Sequence, residues 1–162
     1  MINYIHIGIH KAGSTFLQKN IFSKLKNVSY LGFYEKDYLL DEVRNFQTCS
    51  DFNFNENKIK GLLKFFEENK KKNIATLISS EGFTGTIQPQ YFGSGVFIEL
   101  IAKRIARYVE NPKIILILRN QKDAIRSLYK DDIQFGYNCH FNEWIDERLK
   151  INSLDYFKYD KI

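Results

Sequence analysis

Cysteine and proline are scarce in this chain of 162 residues, with 2 of each. Cys49 and Cys139 lie 90 positions apart and neither belongs to a C-x-x-C pair. A disulfide framework or a zinc site therefore has no support, although a single bridge stays open. A reducing compartment is the default, so a cytoplasmic location is expected. Little proline beside 14 Phe and 10 Tyr argues for a folded globular chain and against disorder. Long apolar runs are also missing. The longest strongly apolar stretch, Ile114 to Leu118, is far short of the roughly 20 residues that span a membrane. The N-terminus opens on strand-like sequence, with no charged segment followed by an apolar one, so no leader is expected. Charge is not extreme: 24 Lys and Arg against 19 Asp and Glu give +5, a modest excess that suits anionic ligands. The basic residues are dispersed. Their one dense run, Lys70–Lys72, falls at the end of an expected helix, where lysines favour the dipole. Nucleic acid is accordingly not an expected partner.

The length fits one domain or part of a larger one. Continuous apolar runs at 3–9, 28–33, 74–79 and 113–118 predict strands. Apolar residues at helical spacing predict helices over 14–26, 35–47, 56–72, 96–109, 121–134 and 141–150. On the helix after the first strand the apolar set is Phe16, Leu17, Ile21 and Leu25; on 56–72 it is Ile59, Leu62, Leu63 and Phe66. Strands that alternate with helices, and that are apolar throughout, predict an α/β, three-layer fold around a central parallel sheet. No strand is visible after Leu118.

Two stretches carry chemistry. The first, "GIHKAGST" (Gly8–Thr15), follows a strand and opens a helix. Gly8 and Gly13 have the spacing of a nucleotide triphosphatase loop, G-x-x-x-x-G-K-[ST], but Ser14 takes the lysine position and Lys11 stands at the loop's crest. Backbone N–H groups of Gly13, Ser14 and Thr15, with two hydroxyls and the Lys11 ammonium, could surround one phosphate. A plain strand–helix turn with Ser14 as N-cap stays open on this stretch alone. His10 reads as a solvent-facing loop residue and His6 as a packed strand residue. The second stretch is "LRNQKDAIRSLY". Arg119 directly follows the strongest strand, and Ser127 stands eight positions later, about two turns into the next helix. An arginine and a hydroxyl there can hold a second phosphate; pairing of Arg119 with Asp123 is the alternative.

Taken together, "HKAGSTFLQ" and "ILILRNQKDAIRSLY" resemble the sulfotransferases that use 3′-phosphoadenosine 5′-phosphosulfate (PAPS), and "FGYNCHFNEWI" is similar to the stretch that follows in bacterial members. The resemblance runs from residue 3 to about 148. It implies a P-loop NTPase-like sulfotransferase fold and in-line transfer of a sulfuryl group to an acceptor hydroxyl or amine, carbohydrates among the candidates. PAP, 3′-phosphoadenosine 5′-phosphate, would be the product and no metal would be needed. It further implies that Lys11, Gly13, Ser14 and Thr15 bind the 5′-phosphosulfate and that Lys11 stabilises charge on the leaving oxygen. Arg119 and Ser127 would bind the 3′-phosphate.

Glu81, just past the strand at 74–79, is the candidate base, with partial burial expected to raise its pKa. Pairing of Glu81 with Lys11 is the alternative role. His140 is a weaker candidate. The acceptor region is expected from loop 82–95 and residues 129–144, with Tyr91, Phe92, Tyr129, Phe135, Tyr137 and Trp144 as candidate lining. The family's domain usually continues with another strand, so this chain reads as truncated after the 3′-phosphate motif, or as completed by a partner chain such as a second copy. Two other readings stay open: a phosphate-loop small-molecule or nucleoside kinase, and a non-catalytic nucleotide-binding remnant.

Overall fold

The computed structural model describes residues 1–32, 41–43, 45, 54–84 and 98–161. Four strands form one all-parallel sheet: β1 (Asn3–His6), β2 (Val28–Gly32), β3 (Ala75–Ser79) and β4 (Pro112–Ile115), in the order β2-β3-β1-β4. In register, Ile5 stands beside Ile78 and Ile114, and His6 beside Ser79 and Ile115. Among the described residues, the α-helices with defined bounds are α1 (Ser14–Asn20), α2 (Lys60–Lys71), α3 (Ile98–Tyr108), α4 (Gln121–Gln134) and α5 (Phe141–Lys150). The chain is thus α/β with a four-strand parallel sheet, as the apolar strand runs predict.

Alternation along the strands sorts side chains to two faces. Ile5, Leu31 and Ile78 join Ile59, Leu62 and Phe66 beneath α2, and Ile101, Ile105 and Val109 of the α3 region, in the larger core. His6 and Ser79 point to the opposite face, where Gln18 of α1 and Phe22 meet them. A second core gathers Ile9, Ala124, Leu128, Trp144, Leu154 and Phe157, and fastens α4 and α5 to the end of the first loop.

Helices α4 and α5 coincide with 121–134 and 141–150, and both carry local caps. The Asn120 side chain accepts from the N–H groups of Lys122 and Asp123, and the Glu143 carboxylate accepts from the His140 N–H. His140 is an exposed helix cap. The 56–72 helix begins as a 3-10 turn (Glu56–Ile59) and continues as α2; Leu63 is only partly buried. The lysine run closes α2, with exposed Lys70 paired to Glu110.

Two expectations are corrected. The 14–26 helix is only seven residues of α-helix, followed by a 3-10 turn at Phe22–Lys24. Its expected apolar face is also turned outward: Phe16, Ile21 and Leu25 are exposed, while Ser14, Gln18 and Phe22 are buried. Spacing of four selects the same face of a helix, and here that face is polar because it covers His6 and Ser79. The 113–118 strand closes its regular part at Ile115, although Ile7 and Ile9 N–H still reach the carbonyls of Ile115 and Ile117. Of the 35–47 helix, residues 41–43 and 45 are described and helical. Residues 85–97, with Tyr91 and Phe92, and residue 49 lie outside the described residues. Cys139 is a free thiol. Among the described residues no helix is long and apolar enough to cross a membrane.

Candidate functional site

Because β1 lies between β3 and β4, the loops after these three strands share one edge of the sheet. These are the loops that carry Lys11, Glu81 and Arg119. The first loop needs two unusual backbone conformations. Lys11 (φ 68°) and Gly13 (φ 91°) both occupy the left-handed region, which is uncommon for a residue with a side chain. Ala12 N–H donates to the Ile9 carbonyl, and Gly13, not Ser14, is the N-cap of α1. Ser14 is the first helical residue and is fully buried. Gly13 and Thr15 are exposed at the loop's mouth.

Gly8 is required by contact, not by φ. A Cβ there would lie 2.1 Å from Ser14 Oγ and 3.0 Å from the His6 ring. The Gly8 carbonyl accepts from Thr84 Oγ1 at 3.3 Å, and the same hydroxyl lies 2.8 Å from the Glu81 carbonyl. These bonds fasten the 3-10 turn Glu81–Thr84 to the first loop.

Glu81 pairs with His10, Oε2 to Nδ1 at 3.0 Å, with both side chains about a quarter exposed. Neither the solvent-facing reading of His10 nor a Glu81–Lys11 pair describes this arrangement. Burial alone would raise the Glu81 pKa. The His10 hydrogen bond and charge, the Ser14 hydroxyl and the Lys11 ammonium outweigh it, and hold the carboxyl below its ordinary 4.5. The expected upward shift is therefore reversed, because burial here comes with hydrogen-bonding and cationic neighbours. Glu81 is therefore ionised at neutral pH, with its carboxylate against His10.

Lys11 Nζ is 2.5 Å from Asp131 Oδ2 of α4. The Lys11 carbonyl accepts from Arg119 NH1 at 2.9 Å. Arg119 is exposed, and it reaches across to the first loop instead of pairing with Asp123. Ser127 sits half-buried two turns into α4 and four residues before Asp131. It therefore shares the helix face that supplies Asp131 to Lys11.

Of the residues proposed to line an acceptor region, Trp144 is fully buried core, and Tyr129 packs edge-on against it at 5.5 Å with its hydroxyl on the Cys139 carbonyl. Phe135 and Tyr137 are exposed. An apolar cleft of about 390 Å³ instead lies between Phe83, α3 and β4, lined by Ile7, Ile98, Ala102, Ile105 and Ile114.

His10 and Asp131 were missed as site residues. His10 had one signal, its place directly before the loop lysine; Asp131 had none, being 120 positions from its partner. No protein-family model matches the chain, and no curated protein does.

Proposed function

We propose that this chain is a PAPS-dependent sulfotransferase of the P-loop NTPase-like type, moving a sulfuryl group to an acceptor hydroxyl or amine. One observation carries the reading: Arg119 and the Lys11 loop, far apart in sequence, meet at 2.9 Å across neighbouring strands. An anion held at the first loop and a second anion held by Arg119 would then lie side by side, which suits a nucleotide with phosphates on both its 5′ and 3′ positions.

The residues fit the donor. Ser14 Oγ is buried at the root of the loop, beside the Glu81 carboxyl, so its hydroxyl could turn to an incoming anion oxygen. Lys11 would exchange Asp131 for the phosphosulfate and stabilise the oxygen on which charge grows, an effect strongest where donors are fixed in advance. PAPS supplies the activated sulfuryl group. As the acceptor oxygen or nitrogen bonds to sulfur and the sulfur–oxygen bond to the phosphate breaks, the acceptor's proton passes to the Glu81–His10 pair. Arg119 and Ser127 would select the 3′-phosphate, which ATP lacks.

Calorimetric titration of wild type and Arg119→Ala with adenosine 3′,5′-bisphosphate and with AMP tests this. A hydrogen bond to a charged group contributes about 1.5–3 kcal/mol, so the variant should bind the bisphosphate at least about tenfold more weakly and AMP almost unchanged. Equal loss for both ligands would remove Arg119 from 3′-phosphate recognition.

A further inference from the structure

The outward side of α1 and of the turn after it has a composition that the interior does not explain. From Met1 to Tyr34 the sequence holds four lysines and no acidic residue. Three of these, Lys19, Lys24 and Lys26, stand exposed on α1 and the segment that follows it. Spacing of four sorts the segment into rows. Ser14, Gln18 and Phe22 are the buried row over the sheet. Phe16, Asn20 and Lys24 make one outward row, and Leu17, Ile21 and Leu25 the row beside it. Phe16 is 62% exposed, and Ile21 and Leu25 are each 43% exposed. The polar side chains between them turn back on their own backbone. Asn20 Nδ2 donates to the Phe16 carbonyl at 3.1 Å, and Ser23 Oγ to the Lys19 carbonyl at 2.9 Å. The outer surface is thus left to apolar groups and ammonium groups. Apolar residues scattered singly are ordinary, but a group of large ones rimmed by charge of one sign marks an interaction site.

We infer that this face docks on an anionic lipid surface, with Phe16, Ile21 and Leu25 entering the headgroup layer and Lys19, Lys24 and Lys26 meeting lipid phosphates. Apolar side chains beside lysines are the pattern of interfacial segments, because the lysine stems lie along the apolar surface while their ammonium groups stay among the headgroups. Charge of one sign calls for an anionic partner, and mobile headgroups can gather around lysines wherever they stand. A nucleic acid fits less well. Phe16 is the one aromatic residue in the two outward rows, so successive bases would have little to stack on. Phe16 directly follows Thr15 at the mouth of the first loop, so a docked surface would lie beside that loop. The inference does not depend on the donor reading.

Sedimentation with vesicles tests it. The wild type should bind phosphatidylcholine vesicles that carry about 30% phosphatidylserine, bind phosphatidylcholine alone weakly, and be released by added salt. Lys24→Gln/Lys26→Gln should weaken binding about thirtyfold, at roughly fivefold for each lysine near such a surface. Phe16→Ser should weaken it about tenfold through lost burial. Urea midpoints of these variants should match the wild type, because the side chains are exposed. Lys71→Gln/Lys72→Gln, at the exposed end of α2, removes the same charge elsewhere and should leave binding unchanged. An equal loss in that variant would reduce the effect to net charge and overturn the inference. Undiminished binding by Phe16→Ser, or no binding of the wild type to the anionic vesicles, overturns it as well. Binding to a single-stranded oligonucleotide in place of the vesicles would make the face a nucleic-acid surface and has the same consequence.

Discussion

Replacing Gly8 by alanine should expose how closely the first loop is packed. The added Cβ would stand 2.1 Å from Ser14 Oγ and 3.0 Å from the nearest His6 ring atom. Ordinary contacts begin near 3.4 Å, so Ser14 must move by more than an ångström. It has little freedom to do so, being fully buried at the first position of α1. The His6 ring is held by Ser79 on its far side. Forcing an extra methyl into such a site costs about 1–3 kcal/mol, and we expect roughly 2 kcal/mol. Urea unfolding reads this directly: with a slope near 2 kcal/mol per molar, the midpoint should fall by about 1 M at unchanged slope. Removing the offending oxygen supplies the control. In a Ser14→Ala background, Gly8→Ala should cost less than about 1 kcal/mol, a coupling of at least about 1 kcal/mol between the two positions. A midpoint shift under about 0.25 M, or the same penalty in both backgrounds, would refute the packing of Gly8 against Ser14.

Three further outcomes are expected. Asp131→Asn releases Lys11 from the 2.5 Å pair; partly exposed pairs contribute little, so bisphosphate affinity should rise by up to about fivefold in titration, whereas a loss would mean that Asp131 holds Lys11 in its binding position. Asp132 accepts from the Trp144 indole at 2.8 Å and from Arg148; Asp132→Ala strands a mostly buried guanidinium and should cost about 3 kcal/mol of unfolding free energy in urea, with no cost to be read as evidence against that triad. Stability should fall with acid in two windows. Burial, only partly opposed by the Glu81 charge, holds His6 below 6.5, so the unfolded chain takes up a proton that the folded chain refuses, and stability declines as pH drops below about 6.5. Glu81 is held below 4.5, so its contribution is complete above that value and lost as pH falls through its lower folded pKa. Urea midpoints from pH 8 to 4 should lose the upper step in His6→Gln and the lower one in Glu81→Gln.

The sheet and its last two helices were legible because their causes are local. Apolar runs mark the parallel strands, although edge strand β4 leaves Ile114 about half exposed, and Asn120 and the His140–Glu143 pair mark helix starts. Helix α1 was misread because amphipathic spacing assumes an apolar interior, and its inner face is Ser14 and Gln18 over a buried histidine. In the site, the approach of Arg119 to the Lys11 loop depends on β1 and β4 being neighbours, an order that the structure shows and apolar runs alone do not state. The His10–Glu81 and Lys11–Asp131 pairs were not legible either, since long-range ion pairs leave no periodic trace. They matter most to the chemistry: one sets the charge state of the candidate base, the other occupies the candidate lysine.

In the proposed function, this loop pair holds a nucleotide with a 5′-anion and a 3′-phosphate. Thermal unfolding of the wild type with adenosine 3′,5′-bisphosphate, AMP and ATP–magnesium tests it most directly. A ligand at about a hundred times its dissociation constant stabilises by roughly 2.7 kcal/mol, or about 5–10 °C for a domain of this size. The bisphosphate should give that shift, and AMP and ATP–magnesium clearly smaller ones at equal concentration. An equal or larger shift with ATP–magnesium, or none with the bisphosphate, would contradict it.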